Sequence, residues 1–240
     1  MSLRCTQACT HCLYGCSPEH GDHMSWDVFK RSVAIALENR IPALNFFGGE
    51  PLLNPQFFAM LQIALESDLS LMLATNCRPL AEEGFITRFL DITQDFKKRI
   101  VIITAMDKFH LRFFDPMETI DRLRRERYEV IVNDYSDHSV LLSEFNANKR
   151  ELRELNTRFS CCGNKRTDHL GVLPNGGWTI CPPSLVSFGD IFSVDLEKII
   201  KFKSGLPLRY KEGCTECLKN FKDFRKDFET IGTIKEIRII

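Results

Sequence analysis

Hydrophobic and polar positions alternate along the first part of the chain in a way that predicts short strands separated by longer helices. Short apolar runs bounded by glycine, proline or polar residues are typical of buried strands, and apolar residues recurring every three or four positions are typical of helices. The predicted strands are residues 43–47, 69–74, 100–104 and 128–133, and the predicted helices are residues 26–40, 57–67, 82–91 and 116–127. Because strands and helices alternate, we expect an α/β fold built from βαβ units around a parallel sheet or barrel.

After about residue 145 this regular alternation stops. Residues 146–158 fit one charged helix, and two short strands, 170–173 and 178–180, flank a Pro-Asn-Gly-Gly turn that predicts a hairpin. A short amphipathic helix follows at residues 194–202. We therefore expect two domains, an α/β body over residues 1–150 and a smaller module over residues 151–240.

Composition narrows the class of protein. Hydrophobic residues make up 44% of the chain and charged residues 27%, which is ordinary for a globular protein and excludes a disordered or fibrous one. Neither a membrane-spanning run nor an apolar signal segment is visible, so we expect a cytoplasmic protein with reduced cysteines. Lys and Arg number 32 and Asp and Glu also 32, so overall charge gives no reason to expect a membrane or nucleic-acid partner.

The ten cysteines carry the candidate chemistry. Cys5, Cys9 and Cys12 form a CxxxCxxC motif, and three soft thiolates so close in sequence favour an iron–sulfur cluster, zinc or copper(I). Three ligands on a four-iron cluster leave one iron open to another molecule. A zinc finger that adds His20 and His23 is the alternative, but its central loop of seven residues is shorter than the roughly 12 of that motif.

A second motif makes the pattern specific. CxxxCxxC, then a helix, a strand and the sequence Gly48-Gly49-Glu50 at the strand end, resembles the radical S-adenosylmethionine (SAM) superfamily. The resemblance implies a partial (βα)6-type barrel and a [4Fe–4S] cluster on Cys5, Cys9 and Cys12, with SAM on the open iron. It also implies that the Gly-Gly-Glu motif lies beside the methionine group of SAM. Only four residues precede Cys5, so we expect the first strand of this barrel to be stunted or absent.

Smaller matches extend the resemblance. Thr75-Asn76 ends the second predicted strand, where relatives often have Thr-Asn-Gly, and Cys77 replaces that glycine. Thr104 lies where relatives commonly have a serine that faces the SAM ribose or the substrate. His11 occupies the position before the third cysteine, which packs near the adenine. The resemblance thus implies further cofactor-binding residues, namely His11, Thr75, Asn76 and Thr104.

The later cysteines resemble the twitch module, a short relative of the SPASM extension found in this superfamily. That resemblance implies a second, auxiliary [4Fe–4S] cluster whose ligands come from Cys161 or Cys162, Cys181, Cys214 and Cys217. The spacing favours Cys162 over Cys161, although the sequence alone does not decide between them. A four-cysteine zinc site would use the same thiolates, so zinc is the structural alternative.

The resemblance implies an enzyme that cleaves SAM to a 5′-deoxyadenosyl radical and abstracts a hydrogen atom from its substrate. We expect a small polar metabolite as substrate and an electron donor such as flavodoxin or ferredoxin as partner. Candidates for the second step lie at predicted strand ends: Cys77 as a hydrogen-atom donor, and Asp107 with His110 to orient the substrate or move a proton. Two alternatives stay open, modification of a peptide or nucleic acid and a non-catalytic zinc-binding protein.

Overall fold

The computed structural model describes residues 1–9, 12, 14–133, 170–179, 186–187, 189–205 and 238–239. The chain divides into two compact units. Met1–Cys9 and Cys16–His138 form the first, and Thr10–Gly15 and Ser139–Ile240 form the second. The predicted helix at residues 146–158 lies outside the described residues.

The first unit confirms the predicted alternation of strands and helices. Its elements in chain order are α1 (Trp26–Glu38), β1 (Ala43–Phe46), α2 (Phe57–Glu66), β2 (Ser70–Ala74), α3 (Glu83–Thr93), β3 (Ile100–Ala105), α4 (Met117–Arg125) and β4 (Glu129–Asn133). The four strands form one parallel sheet in the order β1-β2-β3-β4. This is the α/β fold expected from the sequence, with a four-stranded parallel sheet consistent with a partial barrel.

Local sequence explains where these helices begin. Ser25 is the N-cap of α1, and its side chain accepts a hydrogen bond from the backbone N–H of Val28. The sequence predicted Pro116 as the first helical residue of α4. It is instead the N-cap, and the helix begins one residue later, at Met117. Three short 3₁₀ turns that the sequence did not predict precede α2, α3 and β3; they are Pro51–Leu53, Pro79–Ala81 and Lys97–Arg99.

The two faces of the sheet differ. On one face the strands present fully buried aliphatic and aromatic side chains, which pack with the apolar faces of the helices; they include Phe46, Leu71, Leu73, Ile100 and Ile102. On the other, here called the inner face, the alternating residues are half-buried or exposed; they include Asn45, Met72, Val101, Ile103, Ile131 and Asn133. The helices α1 to α4 therefore cover one side of the sheet, and among the described residues no helix packs on the inner face.

In the second unit the predicted hairpin is present. β5 (Gly171–Val172) pairs with β6 (Trp178–Thr179) in antiparallel fashion. The indole N–H of Trp178 donates to the carbonyl of Val194, which anchors the hairpin to the segment that leads into α5 (Leu196–Gly205). A further antiparallel pair joins β7 (Val186–Ser187) and β8 (Arg238–Ile239).

Candidate functional site

The amino-terminal segment lies beside the end of β1. Ser2 forms an isolated parallel bridge with Gly48, and Arg4 bridges Ser17, so no regular strand forms before Cys5. The carbonyl of Ser2 accepts from the N–H of Gly49 at 2.7 Å, and that of Arg4 accepts from the N–H of Glu50 at 2.9 Å. The expected stunting of the first strand is thus found, and the cysteine motif begins directly beside the Gly-Gly-Glu motif.

The two glycines are required by this close pairing. A Cβ on Gly48 would lie 2.0 Å from the carbonyl oxygen of Ser2, and a Cβ on Gly49 would lie 2.6 Å from that of Arg4. Gly48 also has a φ of 139°, which L side chains rarely adopt. The two glycines therefore allow the amino-terminal backbone of this chain to lie against the end of β1.

Glu50 is fully buried, and its carboxylate joins the ends of β1 and β2. Oε2 accepts hydrogen bonds from the Thr75 hydroxyl at 3.0 Å and from the Asn76 backbone N–H at 2.8 Å. Oε1 accepts one from the Leu52 N–H at 3.2 Å. Burial raises the pKa of the Glu50 carboxyl to about 7, although these three donors favour the charged form.

Asn76 connects this carboxylate to the cysteine motif. Its side-chain Nδ2 lies 3.5 Å from Sγ of Cys5 and 3.0 Å from Oγ1 of Thr6. Its Oδ1 accepts from the backbone N–H of Arg78 at 3.0 Å. Residues from the cysteine motif, the Gly-Gly-Glu motif and the end of β2 therefore meet at one edge of the sheet.

The three cysteines of the first motif are placed as follows. Cys5 is buried, and the Cys9 thiol donates to Oε1 of Gln7 at 3.4 Å. Cys12 belongs to the second unit, where its carbonyl accepts from the N–H of Gly15. Within the described ranges, no three His, Cys, Asp or Glu side chains come together in a group that could hold a metal ion. The ligand set therefore stays a prediction that rests on the spacing of the cysteines.

Cys77 and Thr104 are two further buried residues at the ends of β2 and β3. Cys77 has a left-handed φ of 63°, and its side chain is completely buried. Burial raises the pKa of this thiol to about 12, so it is a neutral S–H. Thr104 is buried on the helix-covered face with Ile102. Either side chain would have to leave the interior of the first unit to contact a cofactor or substrate.

Asp107 and His110 form a hydrogen-bonded pair just after β3. Oδ1 of Asp107 accepts from the backbone N–H groups of Phe109 and His110, at 2.9 and 3.1 Å. Its Oδ2 lies 2.8 Å from Nδ1 of His110. Burial alone would raise the pKa of Asp107, but the neighbouring His110 and the N–H donors outweigh it, and the pKa is lowered. The Asp107 side chain is fully buried, and that of His110 is 20% exposed.

Sequence reasoning missed several residues that shape the site. Buried Asn54 donates through Nδ2 to the carbonyls of Met1 and Met24, at 3.2 and 3.0 Å, and so fixes the amino-terminal segment. Its Oδ1 accepts locally from the backbone N–H of Gln56, which an asparagine before a helix could have suggested, but the contacts with Met1 and Met24 are remote in sequence. Thr6 and Gln7, by contrast, stand between two predicted ligands, and that position was a signal available in the sequence.

The remaining predicted site residues lie outside the described residues; they are His11, Cys161, Cys162, Cys181, Cys214 and Cys217. Among the helices in the described part of the chain, none combines the length and apolar composition needed to cross a bilayer.

The known structures similar to this chain include two of Streptococcus suis SuiB. The crystal structure of Streptococcus suis SuiB bound to S-adenosylmethionine has a TM-score of 0.44 and 13% identity, covering 75% of this chain and 58% of that one. A second S. suis SuiB structure has a TM-score of 0.40 and 14% identity, covering 74% of this chain and again 58% of the other. The chain thus spans less than two thirds of the length of SuiB. No curated protein sequence matches it.

Comparison with protein families gives a match over most of the chain. The Radical SAM superfamily matches residues 1–155, a range that contains the cysteine motif, the Gly-Gly-Glu motif and the whole parallel sheet. Members of this superfamily are enzymes that hold a [4Fe–4S] cluster and cleave SAM reductively. This chain belongs to the radical SAM superfamily.

Proposed function

We propose that this enzyme holds its SAM-binding cluster on Cys5, Cys9 and Cys12 and abstracts a hydrogen atom from a small polar metabolite. The observation that carries the proposal is the contact between two motifs: Asn76 donates to Cys5 through its side chain and to Glu50 through its backbone. The predicted cluster ligand and the predicted SAM-binding motif are therefore neighbours in the fold, although they are far apart in sequence.

The chemistry of the donor set fits an iron–sulfur cluster. Cysteine thiolates are the usual ligands of such clusters, and the Cys5 sulfur already accepts an amide N–H, as a thiolate ligand does. When bound, the cluster supplies the electron that cleaves SAM to methionine and a 5′-deoxyadenosyl radical. All other steps proposed here belong to side chains of this chain.

Glu50 is proposed to pair with the ammonium group of SAM. Glu50 follows β1 directly after Gly48 and Gly49, and its carboxylate reaches the end of β2, where it contacts Thr75 and Asn76. A charged partner favours the ionised form of a buried carboxyl, so binding of an ammonium would lower the pKa of Glu50 from its raised value of about 7. Thr75, Asn76 and His11 complete the proposed set of cofactor-binding residues. Thr104 is left out of this set, because its side chain is buried on the helix-covered face of the sheet.

The inner face of the sheet is proposed to hold the substrate. Apolar side chains such as Val101, Ile103 and Ile131 dominate it, and Asn45 and Asn133 supply uncharged hydrogen-bonding groups. Exposed Glu129, in register with Val101, adds one carboxylate at the start of β4. Apolar walls exclude water from a reactive radical, and neutral amides can orient a polar substrate without a strong preference for its charge. This surface favours a small polar substrate.

His110 is proposed to move a proton to or from the substrate. Asp107 is ionised, because its pKa is lowered, and its Oδ2 can only accept. Nδ1 of His110 must therefore carry the proton in this pair, and Nε2 is the atom that can exchange a proton with the substrate. Whether the net reaction is an oxidation or a rearrangement depends on the substrate.

The later cysteines are proposed to hold an auxiliary [4Fe–4S] cluster. This rests on their spacing, Cys162 and Cys181 followed by Cys214-x-x-Cys217, with Cys161 competing for the first position. Four thiolates fill every ligand position of such a cluster, so this centre would transfer electrons or shape the pocket rather than bind SAM. A zinc site is the outcome that would contradict it.

Anaerobic reconstitution with iron and sulfide tests both assignments. We expect about eight iron atoms per chain, formation of 5′-deoxyadenosine from SAM with dithionite, and a change in the cluster spectrum on adding SAM. Cys9→Ala should remove about half of the iron and abolish SAM cleavage. Cys214→Ala should remove the other half and leave the SAM-responsive spectrum in place. SAM cleavage that persists in Cys9→Ala would overturn the assignment of the first motif.

A further inference from the structure

The orientation of the Asn76 side chain is fixed from several directions. Its Oδ1 accepts the backbone N–H of Arg78, and only the oxygen of an amide can do this. Nδ2 must therefore face Thr6 and Cys5. The hydrogen bond from Arg78 thus assigns the oxygen and the nitrogen of this amide, which are otherwise hard to distinguish. The backbone of Asn76 is fixed in turn by Glu50. An N–H group is thus held towards the Cys5 sulfur by contacts independent of that sulfur.

We propose that Asn76 is a positioning residue of the SAM-binding cluster, whose amide N–H donates to the Cys5 thiolate and raises the reduction potential of that cluster. The inference rests on the proposed role of Cys5 as a ligand. A reduced cluster carries one more negative charge than an oxidised one, and an N–H dipole aimed at a ligand sulfur stabilises the more negative state more strongly. Hydrogen bonds to cluster sulfurs are an established means of setting such potentials.

A purely local role makes a different prediction. Through Oδ1, Asn76 also supports the turn that leads into the 3₁₀ segment Pro79–Ala81. If that were its whole role, loss of the N–H donor would change stability but not the potential of the cluster. The potential therefore separates the two roles.

Two variants and one control test this on the reconstituted full chain. Asn76→Asp keeps the Oδ1 acceptor for Arg78 but removes the N–H donor, and Asn76→Ala removes both without adding charge. We expect a lower reduction potential in both variants. For Asn76→Ala the reduction equilibrium should shift by up to about tenfold, which is 59 mV for one electron, and for Asn76→Asp the shift should be larger. Thr6→Val removes only the other acceptor of the same amide and should leave the potential unchanged.

The potential is read from an EPR redox titration of the signal that changes on adding SAM, which separates this cluster from any auxiliary one. A second measurement needs no folded variant: in wild-type protein labelled with ¹⁵N-asparagine, pulsed EPR should show a nitrogen coupling to the reduced cluster. Where Asn76→Asp folds, that coupling should be absent from it.

The measurements separate an error in the role of Asn76 from an error in the proposed function. A SAM-responsive cluster with unchanged potential in both Asn76 variants, or without nitrogen coupling in the wild type, overturns this inference alone. If no SAM-responsive cluster forms on the wild-type chain, both the inference and the proposed function are wrong.

Discussion

The backbone N–H of Asn76 donates a 2.8 Å hydrogen bond to the buried carboxylate of Glu50. This bond joins the loop after β1 to the loop after β2, and the Asn76 side chain continues the connection to Cys5. In a parallel sheet the carboxyl ends of neighbouring strands meet at one edge, where α/β proteins bind ligands. The Glu50–Asn76 hydrogen bond therefore links the ends of β1 and β2 to the cysteine motif.

The raised pKa of Glu50 predicts a pH-dependent stability. The carboxyl has a pKa of about 7 when folded, against 4.5 for the unperturbed group, so the folded state binds a proton more tightly. Its contribution to stability is fully present below pH 4.5 and is lost as the pH rises through about 7. At 1.36 kcal/mol per pKa unit this is roughly 3 kcal/mol.

Glu50→Gln cannot titrate and should lose this dependence. The measurement is the free energy of unfolding by urea of cluster-free protein, compared between wild type and Glu50→Gln at about pH 5 and about pH 8. The difference between the two proteins should change with pH by roughly the amount given above. An equal difference at both pH values would show that Glu50 does not titrate in this range.

Gly48→Ala should destabilise the first unit by roughly 3 kcal/mol, because it adds both a strained φ and a clash with the carbonyl of Ser2. Thermal unfolding measures the effect. Gly84→Ala is the matched control, since nothing lies within 4 Å of a Cβ there and the position is helical. That change should stabilise the protein by up to about 1 kcal/mol. Similar losses in both variants would contradict the close pairing at Gly48.

Asp107→Asn should reverse the tautomer of His110. The backbone N–H groups of Phe109 and His110 require an oxygen at the Oδ1 position, so the new NH₂ group would face Nδ1 of His110. Nδ1 would then have to accept, and the proton would move to Nε2. Long-range ¹H–¹⁵N NMR spectra of the imidazole distinguish the two forms.

In Asp107→Asn, Nε2 of His110 would carry the proton and could no longer act as a base. Any substrate turnover that needs this base should therefore be slower, as it is in other Asp–His pairs whose tautomer is reversed. Cleavage of SAM without substrate should be unaffected. A His110 spectrum identical in wild type and Asp107→Asn would mean that Asp107 does not set the tautomer.

The thiol of Cys77 should resist alkylation in the native protein. It is completely buried and has a pKa of about 12, and only the thiolate reacts. Iodoacetamide treatment of the cluster-free protein, followed by peptide mass spectrometry, should modify half-exposed Cys9 well before Cys77. Equal rates at the two residues would show that Cys77 opens readily, and would favour its predicted role as a hydrogen-atom donor.

The elements of the first unit could be predicted because their signals are local. Ser25 caps α1 as its residue type suggests, and the bounds of β1 and α2 differ from the prediction by a single residue. The contacts of Asn54 and Asn76 could not be predicted, because they join residues up to 71 positions apart, and no periodicity encodes such pairs. Cys77 has a left-handed φ, a conformation that glycine adopts without strain, and nothing in the sequence indicated this backbone conformation.

The position of Asn76 limits what a fragment of this protein can reproduce. A synthetic peptide of the first sixteen residues would contain all three cysteines of the motif, yet it would lack Asn76, Gly49 and Glu50. The sulfurs of such a peptide would lack the amide N–H that Asn76 donates to Cys5 in the folded chain. Peptide mimics of the cysteine loop therefore give a baseline from which the influence of the surrounding protein can be measured.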